Sequence, residues 1–255
     1  MLFEELDLND DLLDALYDMH FETCTPVQER AIPLVLEGRD LLASAQTGTG
    51  KTAAYLLPIL EKLSRGEHRT DKVNALILVP TRELAMQVDQ LLEGFAYYSN
   101  VSWIAVSGGN DGVAFAQQQR AFAKGSDIVV ATPGRLLALL RYCEADLSGV
   151  DCLVLDEADR MLDIGFYDDI IEIISHLPKQ RQTLMFSATF PRDVEKLARN
   201  VLTNPAEVKI AVSKPADGIT QGVYLLQETQ KLPLIKTLFA EQTCGKTLIF
   251  AASKE

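Results

Sequence analysis

The chain has 255 residues, 47% of them hydrophobic, and a formal net charge of −12. This length suits one large domain, or one domain and part of another. No apolar run approaches the ~18 residues of a membrane-spanning helix, and the first residues lack the basic and apolar regions of a secretory signal. We therefore expect a cytoplasmic protein with no membrane segment. The four cysteines lie far apart without a Cys-x-x-Cys pair, which favours reduced thiols over a metal site or disulfides.

The negative charge is concentrated at the N-terminus. Residues 1–29 hold nine acidic side chains and no Lys or Arg, so residues 30–255 carry only −3 of the net −12. A strongly acidic balance argues against a polyanion partner, but its confinement to one segment leaves that question to local motifs. We expect the acidic segment to form a solvated helix face.

Two helices are predicted before the first strand. Residues 8–19 carry apolar residues at helical spacing among acids, with Asn9 or Asp10 as the N-cap. Thr25-Pro26 resembles a second helix start, with proline in the first turn. That helix should end at Gly38, which suits a C-cap.

From residue 41 onward one unit repeats: a short apolar run, a turn, and a helical stretch. Several runs are apolar throughout rather than alternating, as in parallel strands covered by helices on both faces. The pattern therefore predicts an α/β open sheet of mostly parallel strands. The runs are Leu41–Ala45, Ala75–Val79, Ser102–Val106, Ile128–Ala131, Cys152–Leu155, Thr183–Phe186 and Val208–Val212.

Small, polar or charged residues follow six of these runs. In open α/β sheets, ligands bind at the carboxyl ends of the strands, so these residues are candidates for phosphate binding or chemistry. The stretches are Gln46–Thr52, Pro80–Glu83, Ser107–Gly109, Thr132–Arg135, Asp156–Asp159 and Ser187–Thr189.

The loop after the first run, Ala45–Thr52, fits the phosphate-binding pattern, with alanine where the general form begins with glycine. Its glycines let backbone N–H groups surround phosphate oxygens, and the next helix offers its positive end. Thr52 suits Mg²⁺, and a strand-end carboxylate such as Asp156 can hold the waters of that ion. A Gly-Thr-Gly run also occurs in ordinary strand-to-helix turns. The acidic tetrad Asp156–Asp159 after another apolar run nevertheless favours a nucleoside triphosphatase.

The sequence predicts a first domain over residues 1–212 and a linker over residues 213–221, which are rich in turn formers. The segment beyond is too short to bury much core alone. We therefore expect residues 222–255 to begin a second α/β domain whose remainder is absent. Its predicted elements are a strand at Gly222–Leu226, a helix at Gln230–Glu241 and a strand at Lys246–Phe250.

Seven motifs in chain order resemble those of a DEAD-box ATP-dependent RNA helicase. The resemblance runs from Phe3 to about residue 212, and more faintly to Lys254. It implies a RecA-like P-loop fold for the N-terminal domain, and RNA-stimulated ATP hydrolysis coupled to local unwinding of duplex RNA. The motifs are Gln28, Ala45–Thr52, Pro80–Ala85, Gly108-Gly109, Thr132–Arg135, Asp156–Asp159 and Ser187–Thr189.

The resemblance implies an ATP site that includes a Q motif over residues 20–28. Phe21 would stack on adenine and Gln28 would read the base edge, since an amide both donates and accepts, which favours ATP over GTP. From the residues alone, Phe21 would be a core residue and Gln28 a surface helix residue. His20 and Cys24 replace the family's usual Gly and Pro, which leaves the local backbone shape open. The other expected nucleotide-binding residues are Thr25, Gln46, Thr47, Gly48, Thr49, Gly50, Lys51 and Thr52.

The resemblance also implies three catalytic residues, Glu157, Lys51 and Asp156. Glu157 would polarise the attacking water, although from the residues alone it is also compatible with a surface carboxylate at a helix start. Lys51 would meet the outer phosphates. Thr52 and Asp156 would hold Mg²⁺, the latter through water. Three further residues would couple nucleotide state to strand separation: Asp159, Ser187 and Thr189. Of these, Ser187 and Thr189 also suit N-caps of the next helix.

RNA is the implied macromolecular partner. Arginine binds phosphate bidentately, glycine permits close backbone approach, and helix N-termini attract phosphate. None of the implied groups reads a base edge, so binding should be largely independent of sequence. Without the resemblance, Arg135 would be equally compatible with an exposed helix-start arginine. The implied RNA-binding residues are Pro80, Thr81, Arg82, Gly108, Gly109, Thr132, Pro133, Gly134 and Arg135.

Two other hypotheses remain open. The first is a nucleotide-dependent RNA clamp or scaffold fragment without turnover. The family's arginine finger would lie beyond residue 255, which favours this hypothesis for the chain as given. The second is another P-loop ATPase, such as a DNA translocase.

Overall fold

In the computed structural model, the described residues are 1–46, 48–66, 68–69, 71–106, 122, 125–142, 146–210, 222–241 and 245–250. The chain divides into two compact units, Met1–Val212 and Ser213–Glu255. None of the described helices is long and apolar enough to cross a membrane.

Seven strands of the first unit form one open sheet. Numbered along the chain, they are β1 (Leu41–Ser44), β2 (Ala75–Leu78), β3 (Trp103–Val106), β4 (Ile128–Ala131), β5 (Cys152–Leu155), β6 (Gln182–Ser187) and β7 (Ala206–Lys209). Their order across the sheet is β3-β4-β2-β5-β6-β1-β7. Every pairing is parallel, so the predicted α/β open sheet is confirmed.

The last strand differs most from the prediction, which set it at Val208–Val212. β7 begins two residues earlier and pairs with β1 from Ala206 opposite Leu41. It lies at the edge of the sheet and alternates, with Ala206 and Val208 buried and Glu207 and Lys209 exposed. An alternating edge strand has no continuous apolar run, so the sequence carries no such signal at the start of β7.

Helices cover both faces of the sheet, as predicted. In chain order they are α1 (Asp10–Asp18), α2 (Pro26–Leu36), α3 (Lys51–Ser64), α4 (Arg82–Phe95), α5 (Pro133–Tyr142), α6 (Ala158–Ile164), α7 (Tyr167–Ser175) and α8 (Arg192–Val201). The second unit has a described helix of its own, α9 (Lys231–Glu241). Alternate strand residues enter two separate apolar clusters: Val154 packs with the side of α1–α4, and its neighbour Leu155 with the side of α5–α8. This two-sided burial explains why the central strands are apolar throughout.

The acidic N-terminal segment is solvated, as expected. Asn9 caps α1, because its Oδ1 accepts a hydrogen bond from the Leu12 N–H at 3.0 Å. The apolar side of the helix, including Leu12 and Leu16, is buried. All nine acidic residues of the segment are exposed: Glu4, Glu5, Asp7, Asp10, Asp11, Asp14, Asp18, Glu22 and Glu29.

One buried carboxylate ties this segment to α3. Glu61 is only 1% exposed. Its Oε2 accepts hydrogen bonds from the backbone N of Asn9 at 2.7 Å and from its Nδ2 at 2.8 Å. Its Oε1 accepts from the Arg65 Nε at 2.6 Å. A buried carboxylate is tolerated when its oxygens are saturated in this way, so Glu61 anchors the N-cap of α1.

The second unit contains the predicted helix but not the two predicted strands. A short 3₁₀ turn at Glu228–Gln230 leads into α9. Residues 222–227 and 246–250 are not strands, and Val223, Leu225 and Phe250 are 88%, 94% and 88% exposed. A strand forms only by hydrogen bonding to a neighbour, and an apolar run without a pairing strand stays irregular.

The two described cysteines, Cys24 and Cys152, are free thiols, as predicted; Cys143 and Cys244 lie outside the described residues. Cys152 begins β5 and is 3% exposed. Burial raises the pKa of its thiol to about 12. The thiol therefore behaves as a small apolar side chain rather than a nucleophile.

Replacing Glu61 with alanine should lower the free energy of unfolding by about 2–3 kcal/mol, since the Asn9 and Arg65 donors lose a charged, buried acceptor. Urea denaturation followed by circular dichroism measures this change. Glu93→Ala is the control, because Glu93 is exposed on α4 and its loss should change the value by under about 0.5 kcal/mol. Equal effects of the two substitutions would contradict the anchoring role.

Cys152 should resist alkylation in the folded protein. A rise of its pKa from 9.0 to about 12 lowers the thiolate fraction at pH 8 roughly a thousandfold. Brief iodoacetamide labelling followed by peptide mass mapping measures the modification at each cysteine. The same labelling in denaturant provides the reference, and fast labelling of Cys152 in the native state would contradict its assigned burial.

Candidate functional site

Five adjacent strand ends carry the residues that the sequence singled out. Across the carboxyl edge of the sheet, from β4 through β2, β5 and β6 to β1, the loops are Thr132–Arg135, Pro80–Arg82, Asp156–Asp159, Ser187–Thr189 and Gln46–Thr52. The acidic loop after β5 thus lies between the candidate RNA residues on one side and the glycine loop on the other. Ligands of open parallel sheets bind along this edge.

The glycine loop begins directly after β1. Gly48 and Gly50 have φ values of +83° and +88°, a region that side chains with a Cβ rarely adopt. The Thr49 Oγ1 donates to the Gln46 carbonyl at 2.7 Å and closes the loop on itself. Gly50 is the N-cap of α3, so the positive end of that helix opens into the loop. Thr47 lies outside the described residues.

Lys51 is the first residue of α3 and is 6% exposed. Within the described part of the chain, its buried Nζ has no hydrogen-bond partner. A buried ammonium without a hydrogen-bond acceptor is costly, and such groups are normally satisfied by protein, water or ligand. Its charge acts on Asp156. The site therefore fits an anionic ligand such as the outer phosphates of a nucleotide.

Asp156 directly follows β5 and is 2% exposed. Its Oδ2 accepts from the Tyr55 hydroxyl at 3.0 Å, and its Oδ1 accepts from the Glu157 N–H at 2.9 Å. Burial raises the pKa of Asp156, whereas the charge of Lys51 and the Tyr55 hydrogen bond oppose the rise. Burial, followed by the Asp156 charge, raises the pKa of Tyr55 well above its usual value, so the Tyr55 hydroxyl remains a donor.

The donor set suits a magnesium ion that completes its shell with substrate and water. Thr52 and Asp156 offer a hydroxyl and a carboxylate at adjoining elements. The described residues contain no cluster of three or more His, Cys, Asp or Glu that would bind a metal alone. Mg²⁺ is commonly held by one or two carboxylates plus phosphate oxygens and waters, so these residues fit it.

Glu157 lies at the start of α6, as its sequence context also allowed, but it is 9% exposed rather than a surface residue. Its φ of +51° is left-handed, a conformation that costs a non-glycine residue roughly 1–2 kcal/mol. Its Oε2 lies 3.3 Å from the Arg160 Nη1. Backbone strain of this kind is concentrated at functional sites.

Asp159, Ser187 and Thr189 are joined by hydrogen bonds. The Thr189 N–H and Oγ1 both donate to the Asp159 Oδ2 at 2.8 Å, and the Ser187 Oγ accepts from the Asp159 N–H at 3.2 Å. Partial burial raises the pKa of Asp159, but the Thr189 and Ser187 hydrogen bonds outweigh it and lower the pKa overall. The alternative N-cap assignment is wrong, because Pro191 is the N-cap of α8.

Gln28 is 2% exposed and contacts the glycine loop, so the surface alternative is wrong. Its Nε2 donates to the Gly50 carbonyl at 3.0 Å, and its Oε1 accepts from the Thr25 N–H at 2.8 Å. One N–H and one lone pair of the amide remain for a base. The contact is close: a Cβ at Gly50 would lie 2.4 Å from the Gln28 Nε2.

Phe21 is half-buried and packs edge-on against two phenylalanines. Its ring centroid lies 6.4 Å from Phe3 and 5.4 Å from Phe95. The core alternative is therefore partly right, because Phe21 packs against the cluster of α1–α4. It also lines the cleft beside Lys51, so the ring borders the space next to the glycine loop.

His20 and Cys24, which replace the family's usual Gly and Pro, differ in their effect on the local backbone. His20 has a φ of +61°, a left-handed conformation that glycine adopts without strain, so the backbone keeps the shape that the usual glycine favours. The Cys24 N–H donates to the Met1 carbonyl at 3.0 Å. Proline has no N–H and would lose this bond.

The candidate RNA residues after β2 and β4 differ in exposure. Pro80 is buried and Arg82 is exposed at the first turn of α4. The Thr81 Oγ1 caps that helix by accepting from the Leu84 N–H at 3.3 Å, which leaves its O–H free to donate. Gly108 and Gly109 lie outside the described residues.

The loop after β4 forms the start of α5. The Thr132 carbonyl accepts from the Arg135 N–H at 3.1 Å. Pro133 is buried and Gly134 is exposed. Arg135 is half-buried, which differs from the exposed arginine of the alternative assignment.

A cleft of about 350 Å³ brings together the candidate nucleotide residues Phe21, Gln28, Lys51, Thr52, Asp156 and Glu157, and it includes residues to which the sequence assigned no role. Leu84, Gln87 and Leu91 of α4 line it opposite the glycine loop. Tyr55 and Arg160 contact Asp156 and Glu157. One available signal was spacing, because Tyr55 follows Lys51 by four residues and shares its helix face.

The parallel sheet, glycine loop and acidic strand end define a P-loop nucleotide-binding domain. The family model for the DEAD/DEAH box helicase matches residues 25–197. The chain belongs to this family.

Curated relatives extend the similarity over nearly the whole chain. The DEAD-box ATP-dependent RNA helicase RhpA of Helicobacter pylori is 39% identical over 254 residues, which cover 99% of this chain and 50% of that protein. The ATP-dependent RNA helicase CshA of Listeria monocytogenes is 40% identical over 99% of this chain and 48% of the relative. The chain thus spans about half the length of the curated relatives it matches.

Solved structures agree with the fold. A DEAD box protein from Methanococcus jannaschii superposes with a TM-score of 0.76 at 34% identity, over 94% of this chain and 63% of that chain. A hypothetical ATP-dependent RNA helicase from Sulfolobus tokodaii gives a TM-score of 0.71 at 36% identity, over 80% and 57% of the two chains.

Gly50→Ala should destabilise the protein more than Gly48→Ala. Both positions have left-handed φ values, but a Cβ at Gly50 meets Gln28 and Thr25, whereas one at Gly48 meets open space. The left-handed alanine should cost about 1–2 kcal/mol at either site, and the displaced Gln28 amide about 1 kcal/mol more at Gly50.

Urea denaturation measures both changes. In a Gln28→Ala background the excess cost at Gly50 should disappear, since the displaced amide is then absent. If Gly50→Ala still costs more stability than Gly48→Ala in the Gln28→Ala background, the Gln28–Gly50 contact is not the cause of the difference.

Proposed function

We propose that the chain is the ATP-binding part of an ATP-dependent RNA helicase, in which ATP hydrolysis stimulated by RNA drives local unwinding of a duplex. One observation carries the proposal: the buried Lys51 ammonium lies beside Asp156 and Glu157 and has no hydrogen-bond partner among the described residues. The strand ends that carry Arg82 and Arg135 lie next to it. Family membership and the names of the relatives support the same activity.

The buried ammonium of Lys51 would bind the outer phosphates of ATP, together with the N–H groups of the glycine loop and the N-terminus of α3. Gln28 would use its remaining N–H and lone pair on adenine while Phe21 borders the base. Thr52 and Asp156 would hold Mg²⁺, Asp156 through water. When bound, this ion neutralises charge that develops on the phosphates.

Glu157 would accept a proton from the attacking water or orient it. Burial and a strained backbone support this role, because Glu157 lines the cleft beside Lys51 and backbone strain is concentrated at functional sites. Arg160 contacts Glu157 and would restrain its orientation. Lys51, Asp156 and Glu157 are therefore the proposed catalytic set.

Arg82 and the loop from Thr132 to Arg135 would contact RNA phosphates, with helix N-termini adding to the attraction. Thr81 caps α4 by accepting a hydrogen bond, and its O–H would donate to a phosphate oxygen. The recognition would be largely independent of base sequence, because the proposed contacts are phosphate contacts.

The Asp159–Ser187–Thr189 hydrogen bonds would couple the two functions. They join the end of β5, which carries Asp156, to the end of β6, which neighbours the glycine loop strand.

The cytoplasm is the proposed compartment, supported by the free thiols of Cys24 and Cys152.

The native protein should hydrolyse ATP faster when duplex or single-stranded RNA is added, and more than with DNA of the same length. Glu157→Gln should retain ATP binding but lose about 10²–10⁴-fold in turnover, because it keeps the shape of the side chain and removes the base. Phosphate release and fluorescent-nucleotide binding measure the two properties.

Glu195→Gln is a matched control, since Glu195 lies on α8 and pairs at the surface with Arg199. If the protein binds ATP but hydrolyses it no faster than background even when RNA is present, the RNA-clamp hypothesis is favoured instead. Equal stimulation by RNA and DNA would favour a general translocase.

A further inference from the structure

We propose that Tyr55 is a positioning residue for the magnesium site: its hydroxyl holds the Asp156 carboxylate in the orientation that suits the ion. This inference rests on the proposed function, since it concerns the same nucleotide site. It adds a residue that no motif in the chain assigned.

The geometry around Asp156 leaves its carboxylate little freedom. The Tyr55 hydroxyl donates to Oδ2 at 3.0 Å, while the Glu157 N–H donates to Oδ1 at 2.9 Å. Each oxygen is therefore held by one donor and keeps lone pairs for a further contact. Two donors on different elements, α3 and the start of α6, set the plane of the carboxylate.

Tyr55 reaches Asp156 because of its place on α3. It follows Thr52 by three residues and Lys51 by four, and residues at these spacings share a helix face. Thr52 therefore lies one turn before Tyr55 on the same helix. The helix that carries Thr52 thus also carries the donor that holds Asp156.

The Tyr55 hydroxyl has a specific function beyond filling space. Tyr55 is 0% exposed, and its ring packs on Phe186 at 5.4 Å between centroids, a contact that phenylalanine would reproduce. Burying an additional hydroxyl is unfavourable unless it is hydrogen-bonded. Here the hydrogen bond is made to the proposed ion-holding carboxylate, and outer contacts of this kind tune metal affinity.

The test is Tyr55→Phe, with binding of a fluorescent ATP analogue, N-methylanthraniloyl-ATP, titrated against MgCl₂. We expect the Mg²⁺ concentration for half-maximal enhancement of binding to rise about tenfold, as for the loss of an outer-shell hydrogen bond. Binding without Mg²⁺ should change little. An unchanged Mg²⁺ requirement in folded Tyr55→Phe protein would overturn the proposal.

Tyr98→Phe is the matched control, because it removes a tyrosine–aspartate hydrogen bond, to Asp18, at an exposed position that does not line the cleft. It should leave the Mg²⁺ requirement unchanged. A general effect of losing a tyrosine hydroxyl would instead shift both variants alike, and this result would also count against the positioning role.

A double-mutant cycle separates positioning from simple packing. If Tyr55 acts through Asp156, then Tyr55→Phe should not weaken the Mg²⁺ effect further in an Asp156→Asn background. Additive effects would overturn the proposal. Failure of the wild-type chain to show any Mg²⁺-dependent nucleotide binding would contradict the proposed function itself, whereas a wild-type response that Tyr55→Phe leaves intact contradicts only the role of Tyr55.

Discussion

The buried charges of Lys51 and Asp156 are the constraint around which the first unit is arranged. Neither side chain is more than 6% exposed, and charges of this kind are costly to bury unless other groups satisfy them. Asp156 is satisfied by Tyr55 and the Glu157 backbone, whereas the Lys51 ammonium has no hydrogen-bond partner in the described part of the chain. The buried ammonium lacks an acceptor there, so this point of the sheet fits an anionic ligand.

Strand order decides what lies beside that site. β5 neighbours β2 on one side and β6 on the other, and β6 neighbours β1. The acidic loop is therefore flanked by the arginine-bearing loops and by the glycine loop, with the hydrogen bonds of Asp159 crossing to β6. Parallel strands align their carboxyl ends at one edge, so residues distant in sequence become neighbours there.

The N-terminal segment shows how the surroundings support the site. Gln28 uses one amide to hold both its own helix start and the Gly50 carbonyl, so α2 and the glycine loop are connected before any ligand binds. Glu61, toward the other end of α3, anchors the cap of α1. The helix that carries Lys51, Thr52 and Tyr55 is therefore held near both of its ends, which favours a preorganised site.

The sequence by itself determined the α/β sheet and most strand positions and supplied the candidate site residues, because apolar runs and turn residues are local signals. It placed the edge strand β7 two residues late and predicted strands at 222–226 and 246–250, since strand formation depends on a neighbouring strand that local pattern does not contain. Only the tertiary structure decided the burial of Gln28, the N-cap of α8 and the contact of Tyr55 with Asp156. The Tyr55–Asp156 contact joins residues 101 positions apart, and a contact of this kind is set by packing, not by periodicity.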